Sequence, residues 1–82
     1  MLTSSIEERV LDSVCEVLGV NRDGLTRATS FKEEVGADSL DMVELMMKLE
    51  GDFELTIPEE QAERLKTVGE AIDYIVREFD KK

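Results

Sequence analysis

A chain of 82 residues has room for one small core, and burying about 60–65% of its unfolded surface excludes an enclosed catalytic cavity on a separate scaffold. Twenty acidic residues against ten basic ones give a formal charge of −10. That charge excludes nucleic acid and anionic membrane surfaces as partners and favours proteins with basic patches. Histidine is absent, which removes the commonest general base and neutral-pH metal ligand.

The single cysteine, Cys15, excludes an internal disulfide and suits a cytoplasmic protein. No apolar run reaches transmembrane length, and Met1-Leu2-Thr3-Ser4-Ser5 lacks the basic-then-apolar pattern of a secretion signal. Stable membrane insertion is therefore not expected. Residues 1–82 read as one domain, expected to be a monomer, whose self-repulsion should be relieved by salt or divalent cations.

The first helix is predicted to start near Thr3 to Ser5, with Ser4 or Ser5 as cap and Glu7 and Glu8 in its first turn. Ile6, Val10, Val14, Val17 and Leu18 form an apolar stripe at helical period, widened by Leu11 and Cys15, and Gly19 is a stop signal. Cys15 reads as a small buried hydrophobe continuing the Leu11 face, not as a reactive thiol. Residues 20–38 are a long first loop rich in turn formers, to be pinned by Val20, Leu25, Phe31 and Val35. Thr29-Ser30 followed by Glu33-Glu34 can start a short helical turn within it.

The second helix is predicted from about Ser39 to Gly51 or Phe53. Met42, Leu45, Met46, Leu49 and Phe53 make its core stripe. Leu40, Val43 and Met47 make a second apolar row on another face, edged by Asp41, Glu44 and Glu50. Either that row is further core or it meets a partner. Gly51 is expected to fray the helix end, at a cost of about 1 kcal/mol relative to alanine.

Pro58 then opens a short helix at its first position, followed by Glu59 and Glu60, with Ala62 and Leu65 facing inward. Thr67 and Glu70 form a capping box for the last helix, whose stripe is Val68, Ala71, Ile72, Ile75, Val76 and Phe79. The fold class is all-α: a four-helix bundle with three longer helices, one short helix and a long first loop.

Gly36-Ala37-Asp38-Ser39-Leu40-Asp41 stands at the loop–helix junction. Ser39 and Asp38 are both candidate caps for the helix that follows. As a nucleophile Ser39 lacks a histidine and a Gly-x-Ser-x-Gly turn, and nothing marks nearby Lys32 as a base. A third option is a phosphate-type modification, which a hydroxyl at a positive helix end suits, with small Gly36 and Ala37 leaving it accessible.

The stretch from Gly36 to Leu45 resembles the phosphopantetheine attachment motif of free-standing acyl carrier proteins of dissociated fatty acid synthesis. The likeness runs on through Glu54-Leu55-Thr56-Ile57-Pro58, Ala62, Leu65, Thr67-Val68 and Ala71 to Ile75, and residues 1–20 match in helical pattern. The resemblance implies a non-enzymatic carrier of acyl thioesters in fatty acid biosynthesis. It implies that a phosphopantetheinyl transferase places 4′-phosphopantetheine from coenzyme A on Ser39, with Asp38 positioning the serine and the transferase's metal. The thiol of the arm, not Cys15, carries the cargo.

It further implies a recognition surface for basic patches on fatty acid synthesis enzymes. That surface comprises Leu40, Val43 and Met47, flanked by Asp41, Glu44 and Glu50 and extended by Glu59, Glu60 and Glu63. The acyl chain is implied to lodge against Phe31, Met46, Leu49, Ile57, Ala62, Leu65 and Ala71. The chain departs from the family at Glu34-Val35, where Asp-Leu is frequent. It also departs at Lys48, Arg64 and Lys66, which add positive charge and affect partner preference. Carriers of specialised pathways (polyketide, lipid A-type or D-alanyl transfer) share the motif, and an acidic helical adaptor that is never modified is a further alternative. Asp38, Asp41, Glu44 and Glu50 lack the alternating oxygens and central glycine of a calcium loop, so no resident metal is expected.

Overall fold

The computed structural model describes residues 3–81. Four helices follow one another in the described residues: α1 (Thr3–Leu18), α2 (Ser39–Phe53), α3 (Glu59–Ala62) and α4 (Val68–Asp80). A single 3-10 turn at Arg22–Gly24 interrupts the loop between α1 and α2. This is the expected all-α bundle of three long helices and a short one. Among the described residues the only β pairing is one antiparallel bridge, Ser30 with Thr67.

The aliphatic stripes explain the assembly. Ile6, Val10 and Val14 of α1, Leu45, Met46, Leu49 and Phe53 of α2, and Val68, Ala71, Ile72 and Ile75 of α4 are buried in one cluster. α1 packs against both α2 and α4. Burial of a full aliphatic or aromatic side chain contributes roughly 1.5–3 kcal/mol, so these residues supply most of the driving force. The rings of Phe53 and Phe79 meet edge to face with centroids 5.9 Å apart, closing the core between α2 and α4.

Some helix ends differ from expectation. α1 already includes Thr3, so Ser5 lies inside the helix and the capping position falls outside the described residues. No acidic residue lies in the first described turn of α1; Glu7 and Glu8 sit further along. Gly19 ends α1 as expected, with φ +67° and its N–H bonded to the Cys15 carbonyl at 2.9 Å. Pro58 is the N-cap of α3 rather than its first residue; its carbonyl accepts from Gln61 and Ala62. Gly51 does not fray α2, which runs on to Phe53.

The reason for that continuity is Asp52. Its carboxylate accepts from the buried Ser13 hydroxyl at 2.6 Å and from Lys48 Nζ at 3.4 Å. Its carbonyl accepts from the Arg9 guanidinium at 2.7 Å, and Arg9 also stacks 4.3 Å above the Phe53 ring. Lys48 reaches Glu16 as well, at 3.4 Å. α1 therefore clamps the last turn of α2 and offsets the entropy a glycine brings.

The long loop is pinned by α4 as much as by its own apolar residues. Phe31 is buried, while Val20, Leu25 and Val35 are half-buried. The first amides of α4 have no intrahelical acceptors. Val68 N–H instead bonds the Thr29 carbonyl at 3.0 Å, and Gly69 N–H bonds the Arg27 carbonyl at 2.8 Å. A Cβ on Gly69 would lie 2.8 Å from that same carbonyl, so only glycine permits the approach. Arg27 then pairs with Glu7 of α1 and Asp73 of α4. The turn expected after Thr29-Ser30 forms: Glu33 N–H bonds Ser30 Oγ and Ser30 N–H bonds Glu34 Oε1, each at 3.1 Å.

Candidate functional site

The junction of loop and α2 is fixed from both sides. Phe31, anchored in the core, donates its N–H to the Lys66 carbonyl at 3.0 Å. Its own carbonyl accepts from Ala37 N–H at 2.8 Å. Gly36 takes φ +79°, the left-handed region that glycine enters without a Cβ penalty, and turns the chain into the helix. No heavy atom lies near the position a Cβ would take on Gly36; Ala37 after it is buried in the core, while Asp38 and Ser39 are exposed.

Of the two candidate caps, the structure selects Asp38. Its backbone is extended, and its Oδ1 accepts from Asp41 N–H at 2.9 Å. Asp41 Oδ2 returns the bond to Asp38 N–H at 3.2 Å, completing a capping box. Ser39 is therefore the first residue inside α2, not its cap. It is exposed, and among the described residues its hydroxyl makes no hydrogen bond. The result is a primary hydroxyl at the positive end of a 15-residue helix, with no structural task of its own.

The second apolar row of α2 is not further core. Leu40 is 65% exposed, Val43 53% and Met47 64%, and these are the exposed large hydrophobic residues of the described chain. Isolated exposed leucines are ordinary, but three aligned along one helix form a stripe. Of the acidic residues beside it, Glu44 is exposed and Asp41 is half-buried by its capping role. Glu50 is also half-buried, and its Oε2 accepts from Ile57 N–H at 2.8 Å. That bond ties the α2–α3 link back onto α2, so part of the Glu50 carboxylate serves the fold. Glu59, Glu60 and Glu63 on and after α3 are exposed.

Phe31, Met46, Leu49, Ile57, Leu65 and Ala71 are all buried in the one core cluster, and half-buried Ala62 packs against it. The residues expected to meet an acyl chain are thus brought together, from loop, α2, α3 and α4. Two open surface depressions lie elsewhere, one edged by Tyr74, Arg77 and Lys81, the other by Val20, Leu25 and Val35. Lys48, expected to interrupt the acidic helix, is turned toward Asp52 and Glu16, whose charges raise its pKa above the ordinary lysine value.

Among the described residues no cluster of potential ligands could hold a metal ion, and no helix is long and apolar enough to cross a membrane. What the arrangement offers is a free hydroxyl, a rigid frame and an adjacent apolar stripe edged with negative charge.

Residues 8–75 match the family described as Phosphopantetheine attachment site. The acyl carrier protein of Porphyromonas gingivalis is 51% identical over 72 residues, covering 88% of this chain and 92% of the relative. That of Chlorobium phaeobacteroides is 47% identical over 77 residues, covering 94% and 99%. A solved acyl carrier protein structure from Enterococcus faecalis superposes with a TM-score of 0.80 at 31% identity, covering 95% of this chain and 99% of that one. The chain belongs to the acyl carrier protein family, whose members bear a covalently attached phosphopantetheine group.

Proposed function

We propose that Ser39 carries the phosphopantetheine arm and that the chain is a non-enzymatic carrier of acyl thioesters in cytoplasmic fatty acid synthesis. The observation that carries this reading is the released hydroxyl: Asp38 caps α2, so Ser39 is exposed and uncommitted at the helix's positive end. A phosphate attached there meets the helix dipole rather than opposing it. Ser39 Oγ attacks a phosphorus of the coenzyme A diphosphate and loses its proton. The bond to the adenosine side breaks, adenosine 3′,5′-bisphosphate leaves, and the arm remains as a phosphodiester. The transferase supplies the catalytic groups; this chain supplies a hydroxyl on a rigid end.

The exposed row of Leu40, Val43 and Met47 is the contact face for the transferase and the synthesis enzymes. Glu44, Glu59, Glu60 and Glu63 meet their basic patches, with Asp38, Asp41 and Glu50 adding charge while holding the backbone. Small buried apolar area gained centrally, with charge at the rim, gives short-lived complexes that form fast. That suits a monomeric carrier that visits several enzymes in turn. An acyl chain enters between helices by parting the cluster around Met46, Leu49, Ile57 and Leu65, with Phe31, Ala62 and Ala71 at its sides. The charge of −10, together with the Asp38-Ser39-Leu40-Asp41 form of the motif, supports this branch over a specialised one.

The test is intact-mass spectrometry after incubation with coenzyme A and a broad-specificity phosphopantetheinyl transferase. Wild type is expected to gain the mass of one arm and Ser39→Ala none. Absence of any gain in wild type, or a gain in Ser39→Ala, overturns the assignment.

A further inference from the structure

Most cations of this acidic chain are already engaged. Arg22, Arg27, Lys48, Arg77 and Lys81 each pair with a carboxylate, and Arg9 is held by the Asp52 carbonyl and the Phe53 ring. Lys32, Arg64 and Lys66 are exposed and have no anionic partner among the described residues. Backbone hydrogen bonds gather them. Phe31 N–H bonds the Lys66 carbonyl at 3.0 Å, which sets Lys32 and Lys66 on adjoining strands of chain beside the Ser30–Thr67 bridge. Arg64 stands two residues before Lys66, their backbones linked at 3.1 Å. The Phe31 carbonyl in turn holds Ala37, two residues before Ser39.

The unpaired cations therefore form a rim at the Ser39 end of the molecule. Glu33 and Glu63 share that rim, but Glu34 and Glu70 spend an oxygen each on the amides of Ser30 and Thr67. The outer face of α2 differs: Asp41 and Glu44 stand along it, and its one cation, Lys48, is turned to α1.

We infer that Lys32 and Lys66, with Arg64 beside them, contact the phosphates of the coenzyme A donor while Ser39 is being loaded. The inference rests on Ser39 as the attachment point. Its physical basis is a conflict of charge. The donor is a polyanion, and it must bring a diphosphate phosphorus to a hydroxyl flanked by Asp38 and Asp41 on a chain of charge −10. Unpaired cations at that end lower the electrostatic barrier to approach and act chiefly on association. They neither accept nor supply the proton of the transfer; they attract and position the donor.

The experiment measures steady-state loading with coenzyme A and a phosphopantetheinyl transferase, following product by intact mass. The variant Lys32→Gln/Lys66→Gln is compared with Arg77→Gln/Lys81→Gln. The latter removes equal charge toward the far end of α4, about 14–20 Å along that helix. The first variant is expected to lose about fivefold in kcat/KM at low salt with kcat unchanged, and the gap to close toward 1 M salt. Lys32→Arg/Lys66→Arg is expected to restore the rate. The deficit is expected to narrow with dephospho-coenzyme A, which carries less charge. Equal effects of the two Gln variants, a deficit that ignores salt, or one of the same size with both donors overturns the inference. Failure of wild-type loading, or loading of Ser39→Ala, would instead strike the attachment reading.

Discussion

The two ends of α2 are built to opposite specifications. At the C-terminal end Leu49 and Phe53 are fully buried, Asp52 collects Ser13, Lys48 and the Arg9 cation, and Glu50 returns to hold Ile57. At the N-terminal end Leu40 and Val43 face solvent and the Ser39 hydroxyl has no partner among the described residues. One helix thus divides stability from function along its length. The closed end supplies the packing energy that the open end forgoes, and the capping box of Asp38 and Asp41 keeps the open end rigid.

The largest expected effect comes from deleting packing at the closed end. Leu49→Ala should cost about 3 kcal/mol in chemical denaturation, since it empties a fully buried position. Met47→Ala, two residues away on the open row, should change stability by less than about 0.5 kcal/mol while slowing reactions with partner enzymes. Equal destabilisation by both would break the division. Asp52→Ala should cost about 1–2 kcal/mol, because the buried Ser13 hydroxyl loses its acceptor. Asp38→Ala should cost about 1 kcal/mol through the lost cap, whereas Ser39→Ala should leave the denaturation midpoint nearly unmoved. If the two exchanged roles, Ser39 would be the cap after all.

The smallest effect concerns pH. Tyr74 is buried, and burial pushes its pKa above the ordinary value of 10.0, with Glu78 adding to the rise. A phenol whose folded pKa is raised favours the protonated form in the native state. Its contribution is complete below the unfolded pKa and is lost as pH rises through the folded one. Stability should therefore decline above about pH 10, and Tyr74→Phe should flatten that part of the decline in a pH series of thermal melts.

The bundle was legible because helical period is a local signal. The stripes of α1, α2 and α4 could be read directly, as could the Thr67–Glu70 box. Pairings between distant residues could not. Ser13 reads as a polar interruption of α1 until Asp52, 39 residues on, gives it a partner. Tyr74 falls outside the α4 stripe yet is buried, and the loop is held by α4 amides that no spacing announces. At the site, Asp38 and Ser39 were equivalent caps by residue type. Only backbone geometry decides that the aspartate caps and the serine is released. The exposure of Leu40, Val43 and Met47 likewise required knowing which faces of α2 the other helices cover.

The central claim is that the arm belongs on Ser39, and tryptic peptide mass mapping of the loaded protein tests it most directly. Cleavage after Lys32 and Lys48 releases residues 33–48, in which Ser39 is the sole hydroxyl-bearing side chain. The added mass of one phosphopantetheine is expected on that peptide and on no other. Its appearance on a peptide without Ser39, or on none, would contradict the account.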